Sequence, residues 1–260
     1  MNHTPAAPRI RQLIAALVCA LMAWSAHAAN EPDVRKESFE VSGIKRTFYL
    51  YAPESAGPGP APLLVLLHGS YGDGRSILSK WTALAEEQGL LVVGPDARDR
   101  TAWQIRADGP AYIHQLVDAV EQRHAIDRTR LYLFGHSGGA VYALTLSMIE
   151  SEFFAAAAVH AGAWRTSKEF IAVPYARRKI PVEIFLGDKD EFFPVLAARK
   201  TQSALVDAGH DAKLTIIPNH THDYAKVADE VNRAAWDFMK NTTLTQPTPA
   251  PGSLNSGASR

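Results

Sequence analysis

The chain has 260 residues, 47% hydrophobic and 21% charged, an ordinary globular composition with enough length for one sizeable α/β core. Lys plus Arg and Asp plus Glu number 27 each, so the net charge is near zero. That balance excludes the basic excess of a nucleic-acid binder and leaves no charge run to make a polyanionic tail.

The opening residues read as a secretory signal. Arg9 and Arg11 supply a positive start, Leu13 to Trp24 is apolar, and Ala26-His27-Ala28 offers small residues where a signal peptidase cleaves. The apolar run is shorter than the ~20 residues a membrane span needs, so no stable membrane anchor is expected. The two arginines are not adjacent, which argues against twin-arginine export. Cys19 follows Val18 rather than the small residue of lipoprotein processing, and no cysteine follows it. The expected organisation is a signal peptide over 1–28, a folded α/β domain over 29–240 and a disordered tail over 241–260, with the protein secreted or periplasmic. A mature chain without cysteine has no disulfide and no thiolate to use as nucleophile or ligand. The tail from Asn241 is rich in Pro, Thr and Ser and too polar to order itself.

Between these ends strands alternate with helices. Ser38 to Val41 and Thr47 to Tyr51 alternate in polarity, as half-buried antiparallel strands do. Leu63 to Leu67 is a continuous apolar run suited to a strand covered on both faces. Ile77, Trp81, Leu84 and Ala85 recur at helical spacing, and Leu90 to Val93 is the next buried strand. Ile113, Leu116, Val117 and Val120 mark an amphipathic helix. Leu131 to Phe134 reads as a strand, Gly138 to Met148 as a helix and Ala155 to Val159 as a short strand. Val182 to Leu186, Leu196 to Leu205 and Leu214 to Ile217 come next as strand, helix and strand. Val227, Val231, Ala234 and Phe238 form the stripe of a final helix. This alternation predicts a three-layer α/β/α fold with a mostly parallel central sheet. Ligands of such sheets bind beyond the carboxyl ends of the strands, and the chemistry-bearing motifs of this chain fall there.

Gly135-His136-Ser137-Gly138-Gly139 joins a strand to a helix, the Gly-x-Ser-x-Gly pattern of a nucleophile elbow. A sharp turn there holds a serine hydroxyl above the sheet, and the helix start behind it offers unpaired N–H groups. In this architecture one oxyanion donor is the amide after the nucleophile, here Gly138. The other comes from the loop after an earlier strand, here Leu67-His68-Gly69-Ser70-Tyr71-Gly72, with Ser70 preferred and Tyr71 the alternative. His68 reads as a side chain that orients this loop. The expected order is serine, acid, histidine. Asp188, Asp190 and Glu191 compete as the acid after Leu186, and His220 and His222 as the base after Ile217. His136 is a weak competitor, because the elbow points it away from Ser137. With no thiolates and no second His/Asp cluster, neither a metal nor another cofactor is expected.

The chain is similar to the α/β-hydrolase superfamily over nearly all of the mature region. Within it the chain resembles secreted poly(3-hydroxyalkanoate) depolymerases and feruloyl-esterase-like serine esterases. The strings that carry this are Tyr49-Leu-Tyr-Ala-Pro53, Leu66-Leu-His-Gly-Ser70, Leu84 to Asp96, Gly135-His-Ser-Gly-Gly139 and His160-Ala-Gly-Ala-Trp164. The resemblance selects among the candidates. Gly187, Asp190 and Pro194 match the Gly-x-x-Asp-x-x-x-Pro turn that carries the acid in many such hydrolases. His222, followed by a polar–aromatic pair that opens the last helix, matches the base. The triad implied is Ser137, Asp190 and His222, acting on carboxylic esters. Tyr71, Trp103, Trp164 and Phe192, with Phe193, are candidate substrate contacts that suit an apolar or aromatic ester; for Trp103 and Phe193 packing is an equally ordinary role. The chain departs from the depolymerases in having no mature cysteine and no appended polymer-binding domain, which favours a small-molecule or oligomeric ester. The same triad in a serine peptidase or amidase, or a non-catalytic periplasmic binding scaffold on the same fold, are the competing readings.

Overall fold

The computed structural model describes residues 33–245. The chain divides into two units, Met1–Asp33 and Val34–Arg260, and the sheet and its helices belong to the second. The expected signal peptide over 1–28, and the expected tail from residue 246 onward, lie outside the described residues.

Eight strands among the described residues make one sheet. They are β1 (Arg35–Val41), β2 (Ile44–Tyr51), β3 (Ala61–Leu67), β4 (Leu91–Pro95), β5 (Ile126–His136), β6 (Ala156–His160), β7 (Val182–Gly187) and β8 (Ala212–Ile217), in the spatial order β1-β2-β4-β3-β5-β6-β7-β8. β1 and β2 alternate in burial and pair antiparallel through Ser42 and Gly43. Both turn residues have positive φ (51° and 75°), which suits the twist of a two-residue hairpin. β2 also pairs antiparallel with β4, and every later pairing is parallel. All of β3 and all of β6 are buried; β3 is an unbroken apolar run, and β6 is apolar up to its last residue, His160.

The helices are α1 (Gly74–Leu78), α2 (Thr82–Gln88), α3 (Ile105–Asp108), α4 (Pro110–Glu121), α5 (Gly138–Ile149), α6 (Ser167–Phe170), α7 (Val195–Asp207) and α8 (Ala228–Met239). The strand period of two splits the core between the sheet's faces. Leu63, Val65 and Leu67 pack with α4, α5 and α7, while Leu64 and Leu66 pack with α1, α2 and α8. The result is the three-layer, mostly parallel fold that the alternation predicts.

Four local features differ from the sequence reading. The spacing from Ile77 to Ala85 is not one helix. The chain breaks after Leu78 so that Trp81, fully buried, lies edge-on to Phe134 at 5.0 Å. β5 begins five residues before Leu131, because its polar entry is satisfied locally. Arg128 bonds Asp118 and Glu121, and Arg130 bonds Asp127. The final helix is rotated relative to the expected stripe. It buries Val231, Asn232, Ala235, Trp236 and Met239 and leaves Ala234 and Phe238 half-buried. Asn232 goes inside because the Tyr224 hydroxyl and the Lys80 carbonyl both bond its amide group. Packing also continues past the boundary expected at residue 240. Leu244 is buried, its amide donates to Thr129 O at 2.9 Å, and the Tyr132 hydroxyl bonds the carbonyls of Lys240 and Thr242.

Two features prepare the carboxyl edge of the sheet. Register places Leu67 beside Gly135, His136 beside His160, and Gly187 beside Ile217, so the loops after β3, β5, β7 and β8 emerge along one edge. The loop from β4 to α4 is clamped from beneath. Buried Arg46 donates to Asp108 Oδ1 at 2.6 Å and to the carbonyls of Ala107 and Asp96, with its guanidinium 3.6 Å from the Tyr112 ring centre. Asp108 in turn accepts from the amides of Arg98 and Gln104. Both partners make several further hydrogen bonds, which is the condition for a buried ion pair to be tolerated.

Candidate active site

β5 ends at His136 and α5 begins at Gly138, so Ser137 alone makes the corner. Its backbone sits at φ 56°, ψ −120°, a region that residues with a side chain rarely adopt. The amide of Ser137 donates to His160 O, and its carbonyl accepts from Ala140 and Val141, which ties the strained residue to β6 and to the first turn of α5. The flanking glycines answer to close backbone approach. A Cβ on Gly135 would stand 2.3 Å from Gly139 O, and one on Gly139 would stand 2.2 Å from Leu67 O.

Two later loops converge on the serine. His222, between β8 and α8, places Nε2 2.7 Å from Ser137 Oγ and Nδ1 2.8 Å from Asp190 Oδ2. Asp190 lies in the turn after β7, its carboxylate fully buried, and Oδ1 accepts from the amides of Phe192 and Phe193 at 2.9 Å each. Burial alone pushes this carboxyl up. The hydrogen bonds from His222 and the two amides more than offset it and hold Asp190 below its ordinary range. The other carboxylates of the turn are exposed. Asp188 makes the turn back to Ile217, and Glu191 accepts from the His222 amide at 3.2 Å. The His222 ring lies between Phe192, edge-on at 4.7 Å, and Phe193, stacked at 5.9 Å. His220, the rival histidine, is buried beside His160 with ring centres 5.5 Å apart.

Gly138 and Ser70 face one another beside Ser137; a Cβ on Gly138 would come 2.7 Å from Ser70 Oγ and 3.4 Å from Ser70 N. Neither amide donates to an acceptor among the described residues. The alternative donor, Tyr71, is placed differently from the sequence reading. Its left-handed φ of 65° turns the amide outward, where it donates to Arg100 O at 2.6 Å, while the Arg100 guanidinium bonds the carbonyls of Tyr71 and Gly72. The Tyr71 amide is therefore committed, and its exposed ring is what meets the cavity. His68 is buried and braces the loop. Nε2 accepts from the Ala97 amide at 3.1 Å, Nδ1 donates to Gly69 O at 2.8 Å, and burial holds its pKa below the ordinary value.

Ser137 and His222 stand where two cavities meet. The larger, about 850 Å³, is mainly apolar and takes in Tyr71, Trp103, Phe192 and Phe193. Trp103 is fixed by an indole bond to His68 O and by stacking on Tyr142 at 5.6 Å. The smaller, about 340 Å³, includes Ser76, Lys80, His136 and Asp223 among its lining residues and has a greater polar share than the larger one. Trp164 lines neither, contrary to the sequence reading. Ala161, at φ 52°, turns the chain back after β6, and Trp164 is fully buried, with its amide on Thr201 Oγ1, its indole on Thr145 Oγ1 and its ring against Phe170. Trp164→Ala is accordingly expected to cost about 3–5 kcal/mol of stability in urea unfolding. Unchanged stability with an altered ester preference would return Trp164 to the substrate site.

The sequence reading had no sign of a histidine column behind His222. His136 Nδ1 is 3.0 Å from His160 Nδ1, a contact that forbids a proton on both nitrogens at once, and the His136 ring lies 5.1 Å from that of His222. Burial, then the neighbouring histidines, push His136 down to about 3 and His160 down to about 2. The unfolded chain protonates His160 near 6.5, whereas the folded chain leaves it neutral until about 2. Between those values the unfolded state binds more protons. The His160 contribution to stability is therefore full above about pH 6.5 and falls as pH drops, by about 1.4 kcal/mol per unit. His160→Gln is expected to flatten the stability profile by that slope between about pH 6 and pH 4.5, read by urea unfolding; parallel profiles would contradict it. Among the described residues no group of three or more His, Cys, Asp or Glu is placed to hold a metal ion.

Residues 95–233 match the family model described as Phospholipase/Carboxylesterase. The chain is 32% identical over 104 residues to the bifunctional acetylxylan esterase/xylanase XynS20E of Neocallimastix patriciarum, covering 38% of this chain and 15% of that protein. It is 26% identical over 184 residues to a poly(3-hydroxybutyrate) depolymerase of Ralstonia pickettii, covering 59% and 38%. The chain thus spans well under half the length of the curated relatives it matches. Among solved structures, a ferulic acid esterase from Anaeromyces mucronatus, in complex with ferulic acid, superposes with a TM-score of 0.64 at 16% identity, over 83% of this chain and 92% of that one. At that identity the likeness concerns the fold.

Proposed function

The chain belongs to the phospholipase/carboxylesterase family, and on that premise we propose that it cleaves carboxylic esters through an acyl-enzyme formed on Ser137. The observation that carries this is the unbroken hydrogen-bonded line from Ser137 Oγ through His222 to Asp190, opening on an apolar cavity. His222 Nε2 takes the hydroxyl proton as Oγ attacks the ester carbonyl carbon. Asp190 holds the proton on Nδ1, so that Nε2 is free to accept, and stabilises the imidazolium that results. The carbonyl oxygen, now an anion, moves between the amides of Gly138 and Ser70. Each such donor contributes about 3–4 kcal/mol to lowering the barrier. Collapse of the tetrahedral intermediate breaks the bond to the alcohol, which leaves with the proton from His222. Water then repeats the sequence on the acyl-enzyme and frees Ser137.

The substrate we propose is a small or oligomeric ester with an apolar or aromatic acyl group, consistent with aromatic walls beside the serine and with the esterases among the relatives. We also propose that the protein is exported and cleaved after Ala28, a reading supported by Arg9, Arg11 and the apolar run from Leu13. Among the described residues no helix is long and apolar enough to cross a membrane. Fluorophosphonate labelling followed by peptide mapping tests the mechanism. Modification of Ser137, competed by p-nitrophenyl butyrate, is expected; a label on any other residue would remove the proposal. The N-terminal sequence of protein recovered from the periplasm or medium tests export, with Ala29 expected first.

A further inference from the structure

We infer that the acyl arm of the ester runs along α5 away from Ser137, and that Ile149 and Tyr175 set the longest chain the site accepts. This rests on the ester-cleaving reading above. α5 is buried on most sides. Past its first turn, the half-buried positions that meet the larger cavity are Val141, Thr145 and Ile149, one per turn on a single face. From Gly138 to Ile149 a helix rises about 17 Å, so the apolar wall extends far beyond the reacting atoms. At its far end Ile149 and Tyr175 line both this cavity and a further one of about 390 Å³ bordered by His114, Glu150 and Phe153. Those two side chains are shared by both cavities, which makes them the candidate partition. Tyr175 is 63% exposed in a short 3-10 turn, Val173–Tyr175, and can be truncated without opening the core.

Both cavities that meet at Ser137 have largely apolar walls, but the smaller one carries the greater polar share, and that difference decides which arm goes where. The alcohol must leave and be replaced by water between the two half-reactions, while the acyl group stays attached. A route for water belongs on the side with the greater polar share, where Ser76, Lys80 and Asp223 lie. The group that stays gains from the more apolar side, where each methylene removed from water strengthens binding.

The test is kcat/KM of the full chain on p-nitrophenyl acetate, butyrate, octanoate and dodecanoate, and on methyl through octyl acetates. The acyl series is expected to rise by up to about fourfold per methylene until a ceiling is reached, and the alkyl acetates are expected to respond less. Ile149→Trp should move the ceiling to shorter chains, and Tyr175→Ala to longer ones. Should Ile149→Trp fail to fold, Tyr175→Ala carries the test alone, since its side chain is at the surface. A flat acyl profile, a ceiling that neither variant moves, or a response confined to the alcohol series would overturn the inference. If acetate turnover is nonetheless lost in Ser137→Ala, the ester reading stands without it. Absence of Ser137-dependent turnover on every ester would overturn both.

Discussion

Ser137→Ala is expected to lower kcat on p-nitrophenyl butyrate by at least about four orders of magnitude. The Oγ atom is the only group at the corner placed to form a bond to the acyl carbon, and His222 Nε2 lies 2.7 Å from it. Alanine leaves the amides of Gly138 and Ser70 and the cavity in place. The residual rate would therefore be the modest acceleration that oriented donors and bound substrate give to water. Folding should survive, since the backbone bonds of residue 137 to His160, Ala140 and Val141 do not involve the side chain. A variant within tenfold of the parent, with an unchanged far-ultraviolet spectrum, would eliminate Ser137 as nucleophile.

Asp190→Asn is expected to cost about four orders of magnitude as well, for a different reason. The asparagine oxygen can still accept from the Phe192 and Phe193 amides. That leaves its NH2 facing His222 Nδ1, where Asp190 Oδ2 now accepts. The imidazole must then carry its proton on Nε2, the nitrogen that has to accept from Ser137. The loss should appear in kcat with little change in KM, because no substrate contact is altered. Asp188→Asn and Glu191→Gln, both exposed, are expected to stay within severalfold of the parent. If Asp188→Asn were the crippled variant, the acid would have to be reassigned.

The elements legible in the sequence were those whose burial is written in a short period. The unbroken apolar run of β3 suited a strand covered on both sides, the small residues before His160 read as a short strand, and the alternation in β1 and β2 read as half-buried antiparallel strands. The exceptions mark where tertiary contacts override periodicity. Asn232 is polar and buried because Tyr224 and Lys80 bond it, which shifts the buried stripe of α8 away from Phe238. Leu244 is held by a strand from the far side of the chain, so composition alone placed the end of packing too early. α5 read as a helix but showed no one-sided stripe, since a helix buried nearly all round conceals which of its apolar residues face a cavity.

By itself the sequence determined the order of layers, the corner that carries Ser137 and the short list of its partners, since these follow from local spacing: a glycine two residues to either side of a serine, and carboxylates and histidines at the ends of strands. The family resemblance already favoured Asp190 and His222 from that list, and the tertiary structure showed which groups meet. It put Asp190 rather than Asp188 against His222, withdrew the Tyr71 amide to Arg100, sank Trp164 beneath α7, and opened α5 to the cavity. The reason is one of range. A turn or a strand is settled by neighbours a few residues apart, whereas each of these contacts joins segments that only the closing of the sheet and the packing of its helices bring within a few ångströms.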